Sequence, residues 1–247
     1  MAEGKQHPLA IAFLKAAYEG KIDSVVKMIV EDGVPVDTTN QGGLQALHFA
    51  AKTANVELAS ELIKKGANVN AVSQRGSAPL HVACLMGNTE IVKLLLRKGS
   101  DVNKQSECYG DTYSPLYMAA QIGSQEIVML LLMHGADPTL ATRNGSTPRD
   151  VARQQGFVVV SELLREYERR TRRSKRLSML EVNGVVDEAL AAQVNSDSSE
   201  DENEDEDNKK SKKLGGPPMC QDVTSSPKNS PKRTPKNVAN IQNGSHP

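Results

Sequence analysis

Short words recur along this chain in a fixed phase. Gly-Ala-Asn-Val-Asn stands at Gly66–Asn70, Gly-Ser-Asp-Val-Asn at Gly99–Asn103 and Gly-Ala-Asp-Pro-Thr at Gly135–Thr139, at steps of 33 and 36 residues. A second word keeps step with the first: Ala46-Leu47-His48-Phe49-Ala50-Ala51, Pro79-Leu80-His81-Val82-Ala83-Cys84, Pro115-Leu116-Tyr117-Met118-Ala119-Ala120 and Thr147-Pro148-Arg149-Asp150-Val151-Ala152. Self-similarity at this period means a stack of small units, each burying its apolar face on the next. Composition agrees, because a chain with 3% aromatic residues and no Trp is poorly supplied for one thick core.

One unit can be read in full. Pro79 opens a short helix and Gly87 stops it. Asn88 is the expected cap of a second helix, with Ile91, Val92, Leu94, Leu95 and Leu96 as its apolar side, and Gly99 ends it in the left-handed conformation. Each unit is thus two antiparallel helices and an extended finger.

These residues resemble the ankyrin repeat family, whose pattern runs Thr-Pro-Leu-His-x-Ala-Ala-x-x-Gly, then Ile-Val-x-x-Leu-Leu, then Gly-Ala-x-Val-Asn. The resemblance covers residues 9–168 and implies an all-α solenoid of about five repeats, near 9–40, 41–73, 74–106, 107–142 and 143–168. The first repeat lacks the Thr-Pro-Leu-His word, and its second helix is expected to run one residue longer before Gly33. The fifth carries Arg149-Asp150 in place of Leu-His, as a terminal cap can. Ala54 stands where the family has Gly, which predicts a less sharp turn, and residues 104–113 form a finger three residues longer than its counterparts. Long loops carry function more often than short ones.

His48 and His81 invite a metal or acid–base reading, but the resemblance implies that they brace the turn into the next unit. Cys84 reads as a small packed residue. Cys84, Cys108 and Cys220 are odd in number and lack metal-ligand spacing, which favours free thiols in a reducing compartment. No phosphate loop, nucleophile elbow or paired catalytic carboxylates occur in the repeats, so neither enzyme nor cofactor nor metal is expected. Without a long apolar run, a soluble intracellular monomer with no membrane contact is expected, in the nucleus, the cytoplasm or both.

The resemblance implies that a partner protein binds a concave face made by the fingers and first helices. Its variable positions hold Leu44, Phe49, Lys52 and Thr53, then Ser77, Val82, Leu85 and Met86, then Tyr113, Met118, Gln121 and Ile122. The apolar members, Leu44, Phe49, Val82, Leu85, Met86, Tyr113, Met118 and Ile122, are the candidate protein-binding residues. Either they form one exposed patch, which marks an interaction site, or they pack on one another along the groove.

From Arg169 onward the charges segregate into blocks, and the formal net charge of zero hides them. Arg169, Arg170, Arg172, Arg173, Lys175 and Arg176 form a basic block expected to continue the last helix and to serve as a nuclear-import signal. Leu177–Val194 places apolar residues at helical intervals, so residues 169–194 read as a basic segment with an amphipathic helix. Residues 195–247 are expected to be disordered: acidic from Asp197 to Asp207, then basic and rich in Ser and Pro. Ser178 resembles a basophilic kinase site, Ser198 and Ser199 acidophilic sites, and Ser226, Ser230 and Thr234 proline-directed sites. A noncatalytic adaptor or regulatory subunit with a phosphorylated tail is the reading. The alternative is a nuclear chain that touches nucleic acid or chromatin through its basic segments, weakly, since no aromatics are interleaved for base stacking.

Overall fold

The computed structural model describes residues 8–108 and 111–182, with side chains for 8–107 and 111–174. Ser198, Ser199, Ser226, Ser230, Thr234 and Cys220 lie outside the described residues, as does 183–194 of the expected amphipathic helix. The side chains of Cys108, Lys175, Arg176 and Ser178 lie outside them too.

Among the described residues the chain is all-α apart from one hairpin and an isolated bridge between Thr39 and Gln45. Five helix pairs follow one another: α1 (Ala10–Tyr18) with α2 (Ile22–Val30), α3 (Ala46–Lys52) with α4 (Val56–Lys64), α5 (Pro79–Met86) with α6 (Thr89–Arg97), α7 (Pro115–Gln121) with α8 (Gln125–Met133), and α9 (Pro148–Gln154) with α10 (Val158–Val182). The first members pack in series as an inner row, the second members as an outer row, and each pair also packs internally. The 104–113 finger holds the strands β1 (Ser106–Cys108) and β2 (Asp111–Tyr113), antiparallel, with Ser106 opposite Tyr113.

The words explain this arrangement. Phe13, Leu47, Leu80 and Leu116 occupy one slot of the inner helices and are all but fully buried. Ala50, Ala83, Ala119 and Ala152 occupy another and have no exposed surface, so neighbouring inner helices approach closely. Outer helices contribute Leu58, Leu62, Ile91, Leu95, Ile127, Leu131 and Leu164 from the face turned inward. No pair has enough apolar area to close on itself, and the stack is what removes these side chains from water.

Side chains lock each unit to the next. His48 Nδ1 accepts the Gln45 backbone N–H at 3.2 Å, which leaves Nε2–H to donate to the Ser77 carbonyl of the following finger at 2.9 Å. His81 repeats the device, accepting from Ala78 N–H at 3.2 Å and donating to the Lys104 carbonyl at 2.9 Å. Tyr117 fills the slot in the fourth unit and bonds to Ser146, the counterpart of Ser77. On the opposite side of each finger, Asn70 accepts the Asp101 N–H at 2.8 Å and donates to the Gly99 carbonyl at 3.2 Å. Asn103 does the same to Asp137 N–H and the Gly135 carbonyl, at 2.8 and 3.1 Å. The final Asn of the Gly-Ala-x-Val-Asn word is therefore a staple between units.

Three local expectations are corrected. The turn at Ala54 is as sharp as the others: Ala54 takes φ +57°, beside +71° at Gly87 and +72° at Gly123, so packing of the flanking helices imposes the left-handed conformation on a residue that resists it. Helix α2 is nine residues long, the same as α4, α6 and α8. Its extra residue widens the exit turn instead, where the Val34 N–H reaches back to the Met28 carbonyl. Asn88 does not cap α6, because its amide donates to the Ala51 carbonyl of the preceding unit at 2.7 Å. Asn55 and Ser124, its counterparts, do cap their helices, accepting from Leu58 and Ile127 N–H.

Two predictions follow from these contacts. Ala54→Gly should raise stability by roughly 1 kcal/mol by removing the left-handed strain. Gly123→Ala should lower it by about 2 kcal/mol, since a Cβ there would sit 2.5 Å from the Phe157 ring; urea denaturation of the two variants gives both signs. Burial, only partly offset by the bonds to Ser77 and to Lys104 and Tyr113, lowers the pKa of His48 and His81 to about 4, so both are neutral in the fold. The unfolded chain binds protons first, near the ordinary value. Stability should therefore fall as pH drops from about 6.5 to about 4 and level off below, by on the order of 3 kcal/mol for each His. Thermal melts against pH should show this slope, and His48→Gln should roughly halve it.

Candidate functional site

The inner helices and the fingers form the face on which the sequence places its candidate residues. Six of the eight are not available there. Leu44 (4% exposed), Phe49 (2%), Val82 (1%), Leu85 (6%), Tyr113 (7%) and Met118 (5%) are buried within the stack, and the expected exposed apolar patch is corrected accordingly. The physical reason is the spacing of the units. Neighbouring inner helices pack against one another, and residues at the Phe49, Val82 and Met118 slot join the continuous core between them. All six belong to the buried core.

Met86 and Ile122 differ because they sit in the last turn before the inter-helix Gly. Both are half-buried, and the Ile122 side chain lies over the turn of the preceding unit, 3.5 Å from where a Gly87 Cβ would stand. Toward the first units the same zone holds Tyr18, Lys52 and Thr53. Tyr18 meets Phe49 edge-on at 6.1 Å, and the Lys52 ammonium sits 5.2 Å from the Tyr18 ring centre. Gln121 occupies the Lys52 position of the fourth unit and is half-buried. The accessible face is therefore amphipathic, with Tyr18, Lys52, Met86, Gln121 and Ile122 each half-buried and with Tyr18 and Met86 packed against the core.

The finger tips supply the polar part. Gln41, Gln74, Glu107, Arg143 and Asn144 are exposed, and the tips are tied in series. Gln74 N–H donates to the Gly42 carbonyl at 2.9 Å and Glu107 N–H to the Arg75 carbonyl at 2.7 Å. The longer finger completes the series through a residue that the sequence reading passed over. Asp111, 8% exposed, receives its own neighbour's Thr112 N–H at 2.8 Å and the Arg143 N–H of the next finger at 2.6 Å on one oxygen. Its other oxygen accepts the Asn144 amide at 2.6 Å. An ion pair between Arg143 and Glu107 closes the same junction. The signal available in the sequence was an acid at the base of the inserted residues; its partners lie some thirty positions on and have no local signature.

The nucleophilic and basic groups of the repeats are engaged elsewhere. Both ring nitrogens of His48 and of His81 hold backbone groups, as above, which gives these side chains a bracing role. Cys84 has no exposed surface, and burial pushes its thiol far above the ordinary range, away from the reactive thiolate. Tyr113 is raised to about 12, chiefly by burial and then by the neighbouring Asp111 and Tyr117. The import candidates Arg169, Arg170, Arg172 and Arg173 lie on α10, which runs unbroken through the basic block; Arg170, Arg172 and Arg173 are exposed and Arg169 is half-buried. Among the described residues no helix is long and apolar enough to cross a membrane.

Comparison with protein families matches residues 13–106 to the pattern described as ankyrin repeats (3 copies) and residues 111–143 to that described as ankyrin repeat. Together the two matches span just over half of the 247 residues. Comparison with curated proteins finds no match.

Asp111→Ala leaves three part-buried donors without their acceptor. Such a loss costs about 1–3 kcal/mol, so the urea midpoint should fall. Hydrogen exchange should quicken most at the amides of Arg143 and Thr112, with the first two units unchanged.

Proposed function

Because the chain belongs to the ankyrin repeat family, whose repeats are protein–protein interaction modules, we propose that it is a noncatalytic adaptor or regulatory subunit that holds a partner protein on its inner-helix and finger face. The observation that carries this reading is the half-buried row of Tyr18, Lys52, Met86, Gln121 and Ile122. Half-buried side chains have already given up part of their freedom and lose less of it on binding. Aromatic residues and Met are also enriched where protein interfaces are tightest. Above the row stand finger tips already tied to one another, so a polar rim is in place before a partner arrives.

The adaptor works in the nucleus in this reading. Support comes from the density of Arg169, Arg170, Arg172, Arg173, Lys175 and Arg176, which is that of an import signal. Ser178, Ser198, Ser199, Ser226, Ser230 and Thr234 are the acceptors through which kinases tune location or affinity, each phosphate adding about 1.5 to 2 negative charges.

Proximity labelling in cells, with the full chain as bait, tests the face. Met86→Asp with Ile122→Asp should remove a defined set of labelled proteins. Lys52→Glu with Gln121→Arg, which leaves every apolar contact in place, should remove the same set. Melting temperatures near that of the parent chain show that both variants stay folded. An unchanged labelled set from two folded variants overturns the reading.

A further inference from the structure

Helix α10 is out of proportion to the rest of the stack. It has 25 residues where the other outer helices have nine, so it is about 38 Å long beside about 14 Å. Among the residues whose side chains are described, Val160, Ser161, Leu164 and Glu168 are its buried members, and Glu168 is the last of them. Beyond Glu168 the helix carries Arg169, Arg170, Arg172 and Arg173 with no carboxylate among them before Ser174. Arg169 and Arg173 are one helical turn apart, as are Arg170 and Arg173, and like charges at these spacings oppose the helix. Of the nearby acids, Glu166 takes Arg170 at 3.0 Å, and buried Glu168 lies 4.0 Å from Arg149 of α9 and within electrostatic reach of Arg172. Four arginines against Glu166 and Glu168 give this stretch of α10, the arm, a formal surplus of positive charge.

The same chain holds the complement. Eight carboxylates stand between Asp197 and Asp207, and fourteen residues, 183–196, separate them from the end of α10. Fourteen residues span about 21 Å as a helix and up to about 46 Å extended. Arg172 lies about 15 Å back along α10 from Val182. A connection that turns back after Val182 is therefore long enough to return the acidic run to the arm, and a tether of this length gives an effective concentration in the millimolar range.

We infer that the acidic run Asp197–Asp207 docks on the Arg169–Arg173 face of α10 in the same molecule, sustaining the helical arm and masking its basic block. This contact does not rest on the partner-binding face proposed above. Phosphate on Ser198 or Ser199, inside the run, strengthens it, and phosphate on Ser178, beside the arm, competes with it.

The test uses the full chain and a fluorescein-labelled oligoglutamate peptide as the probe of the arm. In one variant each Asp from 197 to 207 becomes Asn and each Glu becomes Gln. At about 0.1 M salt this variant should bind the probe about tenfold more tightly than the parent. The advantage should vanish when Arg169, Arg170, Arg172 and Arg173 are also changed to Gln, and at about 1 M salt, where the screening length falls to about 3 Å. Amide exchange at Arg169–Arg173 should be faster in the neutralised variant than in the parent. Equal probe affinity in parent and neutralised chains overturns the inference. So does a gain that survives the four Arg→Gln changes, which would assign the run to another basic segment such as Lys209–Lys213. Masking that weakens on dilution of the protein also overturns it, since the acidic run would then belong to a second copy.

Discussion

Burial of one helix pair by the next is the constraint from which the rest of this structure follows. A pair such as α5 and α6 presents Leu80, Ala83, Ile91 and Leu95 to its neighbours, and these are sealed only when a unit stands on each side. Each large side chain so buried is worth about 1.5–3 kcal/mol, with denatured-state compaction lowering the net gain. The closeness this demands explains the Ala rows, the left-handed turns beneath them and the strained φ of Ala54. It also explains why the Phe49, Val82 and Met118 slot closed, because units near enough to bury Leu80 on both sides leave no open channel between inner helices.

Directional bonds then fix the register that apolar burial alone would leave loose. His48, His81 and Tyr117 each extend from an inner helix to the following finger, and Asn70 and Asn103 reach across the far side. All of them join adjacent units, so the contacts are nearest-neighbour ones in the manner of a linear solenoid. The groups that a reader of the sequence would suspect of chemistry are thereby occupied in holding the backbone.

The repeat was legible because its signals are local and periodic: Pro at a helix start, Gly at a helix end, and the same word returning in phase. Element type and order could be read from these. Burial at the variable positions could not, since the word places Val82 on an inner helix without stating how far away the next helix lies. Met86 and Ile122 remained half open for a reason equally invisible in one unit, namely their place at the end of the helix, where neighbours diverge toward the turns. Asp111 escaped because its value depends on Arg143 and Asn144, two loop residues of the next finger. Asn88 shows the same limit from the other side: a residue with strong capping preference was claimed by a carbonyl in another unit.

The finger hairpin has a bearing on how such a chain is cut and joined. Elsewhere a unit meets its neighbours mostly through positions that recur in phase, so one unit resembles an interchangeable part. At Asp111 the fit depends on an insertion in the fourth finger and on particular residues in the fifth. Those two units form a single cassette: a duplication, deletion or graft whose boundary falls between them separates a carboxylate from its donors, whereas a boundary between the second and third units severs phase-matched contacts and the single Asn88 bond to the Ala51 carbonyl.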